Sequence, residues 1–258
     1  MIICREKMVK IFIKNNRGFI LAANHWFAGS ESIIIMSAGF TGDKSMNGRF
    51  EKIAEKFCES GYGVIAYDYC GCGESDDEIL TPENAVQDLL SVIEYAKHRG
   101  YSKIGLYGQS YGGLVSLRAF SQDISAMVLV GAVTGMVKYD WNTLYSEKEM
   151  EELKRTGYMM IKKESGIRDV VIINREMLED LEQINQEDLL RKVKCPILVI
   201  HGDTGEEEKM LAEVSRKGIN FMPKESKLEI IEGGAHRFND NLEEIAALAV
   251  KWYGENFQ

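Results

Sequence analysis

Ser110 stands in Gly108-Gln109-Ser110-Tyr111-Gly112, with a further glycine at 113. An apolar run from Ile104 to Tyr107 reads as a short buried strand before it, and an apolar helical pattern starts at Leu114. Gly-x-Ser-x-Gly between a strand and a helix is the pattern of a nucleophile elbow, a bend that strains the serine backbone and pushes its hydroxyl into the open. Side chains at 108 and 112 would collide with neighbouring backbone, so glycine is expected there. The following helix aims its positive end at the serine. A serine hydroxyl attacks poorly until a base takes its proton. Of the four histidines, His25 and His201 end strand-like runs and His98 lies near a helix end, and all three read as structural. His236 stands in Glu232-Gly233-Gly234-Ala235-His236-Arg237-Phe238, just after the last strand-like run, where two glycines free the chain to carry an imidazole over the sheet. An acid that orients this imidazole belongs after the run Ile197 to Ile200, in the segment His201-Gly202-Asp203-Thr204-Gly205-Glu206-Glu207-Glu208.

The elements that must hold these groups alternate along the chain. Met8 to Lys14 and Phe19 to Trp26 read as a hairpin across the turn Asn15-Asn16-Arg17-Gly18. Ser32 to Met36 is a buried strand, Phe50 to Ser60 an amphipathic helix closed by Gly61, and Val64 to Tyr69 the next strand. Thr81-Pro82 opens a helix that Gly100 stops. After the elbow come a strand over Ala126 to Val133, a strand over Pro196 to His201, a helix over Glu206 to Arg216, a strand over Lys227 to Ile231 and a helix over Asn241 to Tyr253. Such alternation implies an α/β fold: a mostly parallel sheet with helices on both faces and ligands beyond the carboxyl ends of the strands. Residues 136–190 break the pattern. They are charged, carry aromatics and methionines, and show no β-type run, so they read as a helical insertion, since structureless loops of this length are rare in compact domains. The expected division is a core of 1–135 with 191–258 and an insertion of 136–190.

A chain of 258 residues can bury one large core, and 45% hydrophobic with 28% charged residues is a globular composition. A net charge of −9 argues against a nucleic-acid surface. No apolar run approaches membrane-spanning length, and the stretch Met1 to Asn16 is broken by charges and lacks a signal-peptide core. Five scattered cysteines suggest reduced thiols and a cytoplasmic location, with Cys70-Gly-Cys72 too short and too isolated for a zinc knuckle. Homodimerisation stays open.

Several stretches together carry a family resemblance: Gly39-Phe40-Thr41-Gly42-Asp43-Lys44, Asp68-Tyr69-Cys70-Gly71-Cys72-Gly73-Glu74-Ser75, the elbow, the insertion, His201-Gly202-Asp203 and Gly233-Gly234-Ala235-His236. Over nearly its whole length the chain resembles the α/β-hydrolase superfamily, and within it the cinnamoyl (feruloyl) esterases and monoacylglycerol-lipase-like esterases. The resemblance implies an oxyanion hole formed by the backbone N–H groups of Phe40 and Tyr111, although Ala38 replaces the histidine usual before that loop. It implies that the insertion is a lid and that Asp68 and Ser75 close the floor of the site structurally. The family's acid stands four positions after His201, which here is Gly205. Asp203 fits the shorter reach, Glu206 could reach from a shifted loop, and Asp140 is a third option. The function implied is a serine hydrolase of carboxylic esters, cinnamoyl or short-chain, acting through Ser110 and His236 on a small-molecule ester with no metal or organic cofactor. A thioesterase or peptidase of the same fold, or a non-catalytic ligand-binding or interaction protein on this scaffold, is the alternative. The insertion's aromatics and methionines suggest an apolar pocket above Ser110 or simply packing onto the core.

Overall fold

The computed structural model describes residues 8–257. Cys4 and the first part of the stretch tested for a signal peptide lie outside the described residues. The chain runs β1 (Met8–Lys14), β2 (Ile20–Trp26), β3 (Ser32–Ser37), α1 (Arg49–Glu59), β4 (Gly63–Tyr67), α2 (Pro82–His98), β5 (Lys103–Gln109), α3 (Tyr111–Arg118) and β6 (Ile124–Val130). Between β6 and the next sheet strand lie α4 (Trp141–Leu144), α5 (Glu147–Thr156), β7 (Tyr158–Lys162), β8 (Val170–Asn174), α6 (Glu176–Glu179) and α7 (Gln186–Lys192). The core then closes with β9 (Ile197–Thr204), α8 (Glu206–Gly218), β10 (Lys227–Ala235) and α9 (Leu242–Asn256).

Eight strands form one sheet in the order β1-β2-β4-β3-β5-β6-β9-β10. The β1–β2 and β2–β4 pairs are antiparallel and the others parallel. Buried runs such as Ile33-Ile34-Ile35 in β3 and Val128-Leu129-Val130 in β6 have no solvent face, because helices cover both sides. On one side α1 packs with α9: Tyr107 of β5 meets Phe50 and Phe57 of α1 edge-on, and Tyr253 of α9 gives its hydroxyl to the Leu106 carbonyl. On the other, α2 packs with α3. Thr81 caps α2 through its hydroxyl on the Asn84 N–H, with Pro82 in the first turn, as the sequence implied.

The insertion differs from a purely helical one. Its short helices flank an antiparallel hairpin, β7 with β8, tied to the core where the Leu80 N–H donates to the Ile172 carbonyl. The period-2 signal was masked because exposed Tyr158, Met160 and Ile172 put apolar residues where a half-buried strand normally carries polar ones. The cysteines divide as well. Cys70, Cys72 and Cys195 are buried free thiols, with burial pushing Cys72 up to about 12, whereas Cys58 departs from the expectation and is disulfide-bonded.

Asp68, just beyond β4, anchors the loop beside the elbow. Its carboxylate accepts from the Lys44 ammonium at 2.6 Å, from the Lys44 N–H at 2.6 Å and from the Glu74 N–H at 2.8 Å, while Ser75 Oγ donates to its carbonyl. Lys44 and Asp68 are 3% and 0% exposed. A buried pair whose cation is removed leaves an uncompensated charge. Lys44→Met should therefore lower the unfolding free energy by about 3–5 kcal/mol in urea titrations, whereas a loss below about 1 kcal/mol would deny the pair its anchoring role.

Candidate active site

Ser110 sits at the carboxyl end of β5, inside the sheet rather than at its edge. Its φ of 54° and ψ of −120° lie where a non-glycine residue costs of order 1–3 kcal/mol, so its surroundings must impose them. They do. A Cβ on Gly112 would stand 2.2 Å from the Ser37 carbonyl oxygen, and one on Gly108 would stand 2.5 Å from that of Gly112. The elbow can bend this tightly against β3 only because both positions are glycine. The Ser110 N–H donates to the Val130 carbonyl and its own carbonyl accepts from Gly113, which fixes the direction of the side chain.

His236 arrives from β10, three strand spacings from β5, or about 14 Å. The chain crosses back over the sheet after a register shift between Ile231 and Ala235, with Gly233 at φ 71°. Phe238, 1% exposed, seats the far side of the turn and donates its N–H to the Ala235 carbonyl. The imidazole then meets Ser110: Nε2 lies 3.0 Å from Oγ.

The carboxylate at Nδ1 is Glu208, at 2.6 Å. This corrects the expected acid. Asp203 is turned to its own loop, accepting from the Gly233 and Thr204 groups. Glu206 begins α8 and is exposed, and Asp140 caps α4 through the Asn142 N–H. Glu208 lies in the first turn of α8 on its buried face, shared with Leu211, Ala212 and Ser215. That periodicity was the available signal: stepping back three from Leu211 and four from Ala212 lands on 208, not 206 or 207. Gly205, the loop position at which the resemblance implied an acid, is the residue before the helix, and the carboxylate beside His236 comes from the helix instead.

Glu208 is 0% exposed and its second oxygen is also occupied, by His201 Nδ1 at 2.7 Å and the Gly202 N–H at 3.0 Å. His201 Nε2 pairs with Ser215 Oγ, which pairs with Thr134 Oγ1. His201 is thus structural, as read, but it holds the carboxylate that holds His236. Gly131, at φ 53°, makes room for the pair, since a Cβ there would stand 3.1 Å from His236 Nδ1 and 3.2 Å from Glu208 Oε2. His25 bonds Tyr101 and His98 bonds the Glu94 carbonyl, away from this site.

Burial resists ionisation of Glu208, but the hydrogen bonds and positive charge of His201 and His236 outweigh it and hold its pKa at about 2. Burial likewise disfavours a charged His236, yet the Glu208 hydrogen bond and the charges of Glu207 and Glu208 prevail and raise its pKa. Phe40 and Ser110 line one cavity of about 540 Å³, and a Cβ on Gly39 would stand 3.4 Å from Ser110 Cβ, so the loop lies against Ser110. Among the described residues the Phe40 N–H has no acceptor, and Tyr111 is the first residue of α3, where an N–H lacks an intrahelical one. The insertion gives this cavity Leu144, Tyr145 and Ile161 but also Lys162, Lys163 and Glu164, so its wall is mixed rather than apolar. Trp141 packs tilted against Tyr139, stacks with Tyr145 and donates to Glu182, and Met159 is in the core. Among the described residues no group of three or more His, Cys, Asp and Glu side chains is disposed to hold a metal ion, and no helix is long and apolar enough to cross a membrane.

The sheet, the elbow and the crossing histidine loop define an α/β hydrolase. The chain belongs to the family described as serine aminopeptidase, S33, whose model matches residues 32–183, a stretch that includes Ser110 and ends before Glu208 and His236. It is 27% identical over 265 residues to the uncharacterized 31.7 kDa protein of the traX-finO intergenic region of Escherichia coli, covering 86% of this chain and 90% of that protein. It is 27% identical over 222 residues to an acyl transferase of Shewanella hanedai, covering 81% and 68%. Est1E of Butyrivibrio proteoclasticus, solved with ferulic acid bound, superposes with a TM-score of 0.74 at 23% identity over 95% of this chain and 98% of that one, a likeness of fold.

In an NMR titration the His236 imidazole should lose its proton at a pH above the ordinary histidine value of about 6.5, and Glu208→Gln should move the midpoint down. An unshifted midpoint in the variant would mean that Glu208 does not govern this imidazole.

Proposed function

We propose that the protein hydrolyses carboxylic esters with Ser110 as nucleophile, His236 as general base and Glu208 as the acid that orients it. The observation that carries this is the unbroken run Ser110 Oγ–His236 Nε2 at 3.0 Å and His236 Nδ1–Glu208 Oε2 at 2.6 Å. With Nδ1 donating to Glu208, Nε2 is left as the acceptor that takes the serine proton. Oγ attacks the ester carbonyl and the oxyanion develops toward the Phe40 and Tyr111 N–H groups, where one donor is worth about 3–4 kcal/mol of barrier. His236 returns the proton to the leaving alcohol oxygen, and water, deprotonated by the same imidazole, releases the acid from the acyl-serine. The raised pKa of His236 suits an imidazole that must hold the proton between these steps. The insertion, which covers one wall of the cavity, acts as the lid.

Esterases share this fold, Est1E and a further one from Exiguobacterium antarcticum among them, and ester and amide substrates are told apart by experiment. Discrimination is direct. 4-Nitrophenyl esters should be hydrolysed and a fluorophosphonate should label Ser110, with both lost in Ser110→Ala; ester turnover equal to wild type in that variant would end the proposal. Faster cleavage of amino-acid arylamides than of any ester would replace it with a peptidase.

The acid assignment has its own test. Glu208→Gln should lower kcat on the order of 10³-fold or more by loss of the productive tautomer, while Asp203→Asn and Glu206→Gln should each stay within about threefold of wild type, since neither carboxylate reaches His236. A larger loss from Asp203→Asn than from Glu208→Gln would restore the loop aspartate as the acid.

A further inference from the structure

The cavity beside Ser110 is lined by four cations, Arg49, Lys162, Lys163 and Arg237, and by four carboxylates, Asp43, Glu149, Glu164 and Glu207. Arg49, 8% exposed, spends its guanidinium on two backbone carbonyls: Nε donates to Met46 at 2.8 Å and Nη1 to Arg237 at 2.9 Å. Lys163, presented by the turn after β7, donates to Thr41 Oγ1 at 2.9 Å, a neutral hydroxyl. Arg237 follows His236 directly, and all three line the cavity. Among the described residues none of the three is in an ion pair. Burial lowers the pKa of both Arg49 and Lys163 and the charge of Arg237 adds to this, while Cys72 and Asp43 offset part of it at Lys163. Three cations gathered at one cavity repel each other unless something negative sits between them.

We propose that the substrate is an ester carrying an anionic group, a carboxylate, a short chain away from the scissile carbonyl, bound between Arg49, Lys163 and Arg237. This rests on the esterase reading and specifies its substrate class. The position follows from the chain. Lys163 is fastened to Thr41, next to the oxyanion donor Phe40, and Arg237 is next to the base His236, so the cations flank the reacting centre on two sides. The carboxylates on the same wall keep their charge but are held by partners of their own. Asp43 accepts from the Ser45 and Met46 N–H groups, Glu149 belongs to the capping box of α5, and Glu207 accepts from the Tyr139 hydroxyl, so each is already engaged at the rim. Glu207, Glu164 and Arg237 are exposed to solvent, whereas Arg49 is buried. A guanidinium held out of water presents a planar fork suited to a carboxylate.

Two matched substrate pairs test this. 4-Nitrophenyl hemisuccinate against 4-nitrophenyl butyrate places the charge on the acyl side, and O-acetylglycolate against its methyl ester places it on the alcohol side. In one pair the anionic member should have kcat/KM higher by about tenfold or more, through KM, and the preference should shrink in high salt. That pair identifies the side on which the charge is read. Arg237→Ala with Lys163→Met should cut the preference by about tenfold. No preference in either pair, or a preference that survives the double variant, overturns the inference, and turnover of the neutral esters would still uphold the esterase reading. Should no ester be turned over, the thermal midpoint of Ser110→Ala decides: monoethyl succinate should raise it more than ethyl butyrate does, and equal shifts overturn the inference.

Discussion

A carboxylate taken out of water needs partners on both oxygens, and Glu208 has them. One oxygen meets His236 and the other meets His201 and the Gly202 N–H. This single side chain ties the end of β9, the first turn of α8 and the loop after β10 into one object. Removing any of its three partners would leave a buried charge short of hydrogen bonds, which costs more than an ordinary hydrogen bond contributes. The geometry at Ser110 therefore depends on a group seven residues beyond a strand histidine that does not touch Ser110 at all.

The elbow and the acid solve the same problem in different ways. Ser110 holds a strained backbone because Gly108 and Gly112 let β5, β3 and α3 approach more closely than any Cβ would allow. His236 holds its place because Phe238 is buried beneath its loop and because Gly131 leaves space for the imidazole–carboxylate pair. In both cases an absent side chain is what brings functional atoms within bonding distance. The Asp68–Lys44 pair does the corresponding work for the loop that carries Phe40 by fastening both the backbone and the ammonium of Lys44 to a fully buried carboxylate. The insertion contributes through the β7–β8 hairpin, whose turn brings Lys163 down onto Thr41.

Much of this was legible in the chain itself. The elbow, the histidine loop, the alternation of strands and helices and the anchoring turn at Asp68 are local patterns, written in consecutive residues whose steric demands act over a few bonds. That is why Ser110, His236, Phe40 and Tyr111 could be picked out; Ser110, His236 and Phe40 line one cavity, and Tyr111 follows Ser110 as the first residue of α3. The hairpin in the insertion escaped because its exposed faces are apolar, so its period was hidden.

The acid was decided elsewhere. Three consecutive glutamates, 206 to 208, have the same chemistry and nearly the same chain position, and only the rotation of α8 against the sheet selects which one is buried. The helix turns about 100° per residue, so Glu206, Glu207 and Glu208 point in three directions. One of these meets solvent, one the cavity rim and one the histidines. Composition and motif spacing settle which side chains can do chemistry, because that is a property of each residue and its neighbours in the chain. Which of several equivalent carboxylates reaches the imidazole carried by the loop after β10 depends on strand order and helix phase, and these exist only once the chain has packed.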